Sequence, residues 1–255
     1  MKNNLLCIGA STYNPNTPSK INDALVESNF LKNGSVILAI HQYFPLYRPA
    51  RLDPQESFSV DEQKNWIKES CFPDCNLIFI EEPKKYEVEP GHIFISPDTF
   101  PYKNGDKLFD VGLRELESKL FIHGQNRISK LDEFYGKYMD MNHFNYLPCI
   151  NQIMTQLSQT RVYKNLGMIL AGMEDDGSIG LVNIAKNKGK IAIQDPDECY
   201  HPERPGKTRQ MPESAVKQLQ KESLDYELIT LESNENSKKK KLDSVADRLL
   251  GCFGL

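Results

Sequence analysis

Leu5-Leu6-Cys7-Ile8-Gly9-Ala10 is an unbroken apolar run that leads straight into the hydroxyl pair Ser11-Thr12. A run of this length, bounded by polar residues, reads as a central strand of a parallel sheet covered on both faces. Residues just beyond such a strand face the crevice in which α/β folds bind their ligands. Ser11 therefore stands where a nucleophile would be useful. A Ser-Thr pair after a strand also caps helices and fills turns, and by itself that is its commoner use.

Two further stretches have the same form. Ser35-Val36-Ile37-Leu38-Ala39-Ile40 delivers His41-Gln42, and Leu166-Gly167-Met168-Ile169-Leu170-Ala171 delivers Gly172-Met173-Glu174-Asp175-Asp176-Gly177. If the three strands are parallel neighbours, a serine, a histidine and an aspartate converge on one sheet edge. That set is a nucleophile, a base and an orienting acid, whose roles are defined by geometry and not by chain order.

Ile8-Gly9-Ala10-Ser11-Thr12, His41-Gln42 with Pro45, and Pro90-Gly91-His92-Ile93-Phe94-Ile95-Ser96-Pro97 open a longer ordered series. It continues through Gly172-Met173 with Asp176-Gly177 and Gly180, then Ile193-Gln194, then Met211-Pro212. Taken together these resemble the successive motifs of the chemotaxis receptor methylesterase catalytic domain, over about residues 4–230. The resemblance implies Ser11 as nucleophile, His41 as general base and Asp176 as triad acid. Carbonyl chemistry at such a triad calls for oxyanion donors, for which the backbone N–H groups of Thr12 or Met173 are the candidates. No cofactor and no metal are expected. The implied substrate is the glutamate methyl ester on the cytoplasmic helices of chemoreceptors, with deamidation of receptor glutamines as a related reaction.

The chain departs from the family pattern at two places. Tyr13-Asn14 stands where the family has two glycines, so a tyrosine ring is expected to narrow the entrance, and Asn145-Tyr146-Leu147 replaces the arginine- and histidine-containing segment before Pro148. Glu174 and Asp175 add negative charge that favours protonated His41 and opposes an acidic product. These departures keep a second reading open: a module of the same fold that binds receptors without turnover.

The rest of the chain is read as one α/β domain over residues 1–255. Its expected core is a doubly wound, mostly parallel sheet with helices on both faces and a small antiparallel hairpin at one edge. With 255 residues, 39% of them hydrophobic, the chain can bury a full core. A net charge of -4 offers no overall basic footprint for nucleic acid. No run is long enough to insert in a membrane and no signal peptide is evident, so a cytoplasmic location is expected. The six cysteines are scattered, which suits reduced thiols, and Cys71 with Cys75 lacks the further ligands of a zinc site.

Helical spacing is read over residues 19–32, from Asp61 to Cys71, after Pro148, from Gly177, from Met211 and around Leu242 to Leu250. Strands are read at 76–80, 92–96, 116–122 and 190–194, with Lys103-Asn104-Gly105-Asp106 as a hairpin turn. His92 is read as a turn or packing residue, and Lys238 to Lys241 as a solvated helix entrance. The stretch from Asp195 to Gln210, rich in Pro and charge, is a long loop and the internal candidate for a lid. The first strand begins within a few residues of Met1, so no receiver domain is expected ahead of it. Regulation would then fall to a separate partner protein or be absent.

Overall fold

The computed structural model describes residues 2–10, 17–40, 64–80, 84–96, 109–126, 150–172, 175–199, 209–231 and 244–254. Among these, seven strands form one parallel sheet. They are β1 (Asn3–Ala10), β2 (Gly34–Ile40), β3 (Asn76–Phe79), β5 (His92–Ile95), β8 (Tyr163–Ile169), β9 (Lys190–Gln194) and β10 (Glu227–Ile229), arranged β10-β9-β8-β1-β2-β5-β3. The winding reverses between β1 and β8: from β1 the chain moves outward through β2 and its neighbours, then returns to add β8, β9 and β10 on the other side. A doubly wound sheet presents its ligand crevice at such a switch point, outside the carboxyl ends of the strands.

Both faces of the sheet are covered, which is why its central strands lack polar alternation. Leu6, Ile8 and Ala10 of β1 face one apolar cluster, with α1 (Thr17–Glu27) and α5 (Val245–Leu250). Leu5 and Cys7 face the other, with α2 (Ile150–Ser158), α3 (Ser178–Lys186) and α4 (Gln210–Lys221). In α1 the buried positions Ile21, Ala24 and Leu25 carry the stripe, and Val26 is turned to solvent. The continuous helix expected over 19–32 instead stops at Glu27, and Phe30–Lys32 is a short 3-10 turn. Asn29 takes the left-handed conformation at the break, and the Ser28 hydroxyl donates back to Ala24 O at 2.7 Å. The Asp61 to Cys71 helix is present from 64 and finishes in a π-turn over Ile67–Cys71.

The antiparallel element is a three-stranded sheet, β4 (Lys85–Glu87), β7 (Lys119–Asn126) and β6 (Phe109–Leu116), in the order β4-β7-β6. It packs on the α2 side through Val111, Leu120 and Ile122. The strand expected across 116–122 is interrupted, because Glu117 and Ser118 form a two-residue turn with φ of 50° and 65°. Two left-handed residues give the turn a twist that matches its flanking strands, a requirement Gly and Asn meet more cheaply. Ser118→Gly is therefore expected to raise stability by about 0.5–1 kcal/mol in thermal or urea unfolding. A fall in stability would show that the Ser118 side chain contributes more than its backbone costs. The turn expected at Lys103-Asn104-Gly105-Asp106 lies outside the described residues, as do Pro148, Leu242, Lys238 to Lys241 and most of the Asp195 to Gln210 loop.

The last helix is held by a reciprocal cap. Ser244 Oγ accepts from the Asp247 N–H, and Asp247 Oδ2 accepts from the Ser244 N–H. Its start is joined to α1, where Glu27 Oε2 accepts from the Ala246 N–H at 3.2 Å.

The described cysteines are free thiols. Burial pushes Cys71 up to about 12, and burial together with the neighbouring Glu198 carboxylate pushes Cys199 up to about 12. The folded thiols keep their protons to higher pH than unfolded ones. Their contribution is thus intact below the ordinary thiol pKa of about 8.5 and is lost as pH rises through the folded values. Unfolding midpoints are expected to fall between pH 8 and pH 11, with a shallower slope in Cys71→Ala/Cys199→Ala. An unchanged slope would assign the alkaline loss to other groups.

Candidate active site

The carboxyl edge beside the switch point is built from three neighbouring strands. Ala10, the last residue of β1, pairs with Ile40, the last residue of β2. On the other side Gly9 pairs with Ile169, and the Leu170 N–H donates to Gly9 O at 2.9 Å. The chain then crosses this edge on fixed contacts. The Ala171 N–H donates to Gln194 Oε1 at 2.9 Å from the end of β9, and Gly172 O accepts from the Met211 N–H at 3.0 Å at the start of α4. Gln194 is buried, so its amide supports the backbone from inside the fold.

Asp176 is the sequence-predicted site residue that the described structure contains. It is only 9% exposed, and its carboxylate meets the start of α2. Oδ2 accepts from the Ile150 N–H at 2.7 Å, and Oδ1 accepts from the Asn151 N–H at 2.8 Å and from the Gly177 N–H at 2.9 Å. The Ile150 and Asn151 N–H groups lie in the first turn of α2, where backbone donors lack partners within the helix, and a carboxylate at that end is favoured by the helix dipole as well; the Gly177 N–H is at the N-cap of α3. Its charge is felt in the sheet below. The Cys7 thiol is driven far above its ordinary range, first by burial and then by the Asp176 charge, so Cys7 is a neutral core group with no nucleophilic role.

The close approach of α2 to this edge depends on two glycines. A Cβ on Gly9 would sit 2.6 Å from Ile150 Cγ2, and Gly177 has φ 95°, where any Cβ would overlap the Ile169 side chain. Ile150 thus lies in a slot over β1 and the Asp176 turn. Asn151 extends the same join, its Oδ1 accepting from the Gly180 N–H at 2.9 Å. Asp175 is less buried. Its main-chain carbonyl accepts from both the Ser178 N–H and the Ser178 hydroxyl.

Ser11, Thr12, His41 and Met173 lie outside the described residues. The described edge brings together the ends of the strands that precede Ser11 and His41, together with Asp176. Two contributors escaped sequence reasoning. The capping bonds of Asp176 join residues 25 and 26 positions apart in the chain, and no local pattern announces them. Gln194 was visible only as part of a motif, without a task. His92 opens β5, and of the two roles expected for it, turn or packing, it has the packing one: its ring lies 3.3 Å from Glu89 O and is tilted against Phe94.

The CheB methylesterase family matches residues 6–230. The chain belongs to that family. No curated protein matches it in sequence. The structure is similar to the crystal structure of the Thermotoga maritima CheB methylesterase catalytic domain, with a TM-score of 0.57 over 89% of this chain and 93% of that one. At 20% identity, that likeness shows the shared fold. Membership in the CheB methylesterase family assigns the chain a hydrolase function of the chemotaxis methylesterase kind. Among the described residues no helix is long and apolar enough to cross a membrane.

Proposed function

We propose that this chain is a serine esterase that hydrolyses glutamate methyl esters on the cytoplasmic helices of chemoreceptors, with Ser11, His41 and Asp176 as its triad. The observation that carries this reading is the pairing of Ala10 with Ile40 at the carboxyl ends of two adjacent parallel strands. Ser11 and His41 are each one peptide step, ~3.8 Å, beyond that pair. Asp176 follows the strand on the other side of β1 and has its carboxylate fixed by three backbone donors. A carboxylate has about four acceptor directions, so a ring N–H from His41 is compatible with those three bonds.

In the proposed reaction His41 takes the Ser11 Oγ proton as that oxygen attacks the ester carbonyl. Asp176 holds the imidazole tautomer and stabilises the imidazolium. The tetrahedral oxyanion is stabilised by the N–H of Thr12 or Met173. Collapse breaks the ester C–O bond, and His41 returns the proton to the departing methanol. Water activated by His41 then releases the acyl group as a glutamate side chain. Attack on a glutamine amide by the same route would release ammonia.

The test is methanol release from a methylated chemoreceptor cytoplasmic fragment. Stoichiometric methanol with regeneration of glutamate is the expected result. Receptor binding without methanol would overturn the esterase in favour of a binding module, the reading that Tyr13-Asn14 favours at the proposed entrance.

A further inference from the structure

At the opposite, amino end of the sheet lies a cavity of about 800 Å³, bounded by the starts of β1, β8 and β9 and the ends of α2 and α3. Its lining includes Lys2, Arg161, Lys164, Lys188 and Lys190, and no Asp or Glu. The chain as a whole carries more acids than bases, 35 against 31. Five cations around one concave surface are therefore a local reversal of the molecule's charge. Among the described residues none of these five is in an ion pair, although the Arg161 main-chain N–H donates to Glu115 Oε2 at 2.8 Å.

The strand register groups these charges. Lys164 stands beside Asn4 on β1, and Lys190 pairs with Leu166 two residues further along β8. Lys190 is fixed at the wall by donating to Phe253 O at 2.7 Å. Lys188 has φ 64° at the end of α3, a left-handed position that Gly or Asn more often fills. The intervening loop is tied down, with Thr160 Oγ1 donating to Asn165 Oδ1 at 2.9 Å and Asn165 Nδ2 donating to Thr160 O at 3.1 Å. The carboxyl ends of α2 and α3 bring only about half a negative charge each, about one against five. With Glu115 at the Arg161 main chain and Glu227 acting on Cys252 together with Lys190, the helix ends offset part of the positive charge and leave a net excess of cations.

We propose that this cavity is a binding site for a small organic polyphosphate, a nucleoside di- or triphosphate in size and charge. Its volume lies within the ~300–1,000 Å³ of small-molecule sites, and the half-buried Tyr163, with narrow exposed edges of Leu166 and Phe253, gives it an apolar side beside the lysines. Phosphate oxygens would accept from the ammonium groups and the Arg161 guanidinium. The site is separated from the carboxyl edge by the length of β1, eight residues or ~25 Å, so it is distinct from the proposed esterase centre.

The experiment is isothermal titration of the full chain with ATP and with pyrophosphate, in EDTA and 150 mM salt, with sulfate at matched ionic strength as comparison. Saturable 1:1 binding of ATP below 1 mM, at least tenfold tighter than sulfate, is expected. Pyrophosphate binding as tightly as ATP would place the recognition in the phosphates alone, still within the proposal; tighter ATP binding adds the apolar side. Lys164→Glu/Lys188→Glu is expected to weaken ATP at least tenfold with ester hydrolysis unchanged, and Lys164→Gln/Lys188→Gln guards against loss of folding by charge reversal. Absence of ATP binding to 1 mM, affinity no better than sulfate, or affinity indifferent to both double variants would overturn the site. So would binding to anionic vesicles that ATP does not displace, which would mark a membrane-facing patch instead.

Discussion

Ser11→Ala is expected to lower ester hydrolysis by at least ~10⁴-fold while leaving the unfolding midpoint almost unchanged. The residue follows β1 directly in the sequence, and the strand is held by other contacts. Leu5 to Ala10 are held by the parallel ladders to β2 and β8 and by apolar clusters on both faces. A variant with normal stability and normal turnover would remove Ser11 from the mechanism. The assay is methanol release at saturating substrate, read beside circular dichroism of the same preparation.

Asp176 is expected to behave differently, because its carboxylate has two tasks. In Asp176→Asn the amide nitrogen would point a donor at one of the N–H groups of Ile150, Asn151 or Gly177, leaving a buried donor unsatisfied at a cost of about 1–3 kcal/mol. The unfolding midpoint falls by several degrees, and turnover falls by up to ~10⁴-fold through loss of the imidazole's orientation. In Asp175→Asn the main-chain carbonyl that receives Ser178 is retained, and both losses should be small. Equal effects at the two positions would contradict the assignment of the acid. Loss of stability at Asp176 without loss of turnover in the folded fraction would reduce it to a helix cap.

The sheet was legible because its strands are buried on both faces and so are written as solid apolar runs. Leu5 to Ala10, Ser35 to Ile40 and Lys190 to Gln194 needed no partner to be recognised. Failures came where conformation is set by a few torsions. Asn29 ends α1 two residues after Glu27 although the apolar spacing continues to Leu31, and Glu117-Ser118 turns the chain within a stretch rich in strand formers. Helical spacing also leaves the exact buried face open. Val26 and Ile179 are apolar at helical spacing, yet 45% and 42% exposed, since spacing fixes a face only to within one residue.

At the candidate site the order of motifs pointed to Asp176 and not to its neighbour, and burial with three hydrogen bonds distinguishes the two in space. What no window of sequence contains is the contact of that carboxylate with α2, or the slot made for Ile150 by Gly9 and Gly177, which lie 168 residues apart in the chain. The basic cavity was hidden in the same way. Lys2, Arg161, Lys164, Lys188 and Lys190 are dispersed along the sequence and become one surface only when β1, β8 and β9 lie side by side.

The most direct test of the central claim is mass spectrometry of the purified chain after treatment with a serine-reactive organophosphonate, because phosphonylation requires a serine activated by a neighbouring base. One adduct per chain, mapped to Ser11 and lost in His41→Ala, is the result predicted here. No adduct, an adduct at another residue, or undiminished labelling in His41→Ala would contradict it.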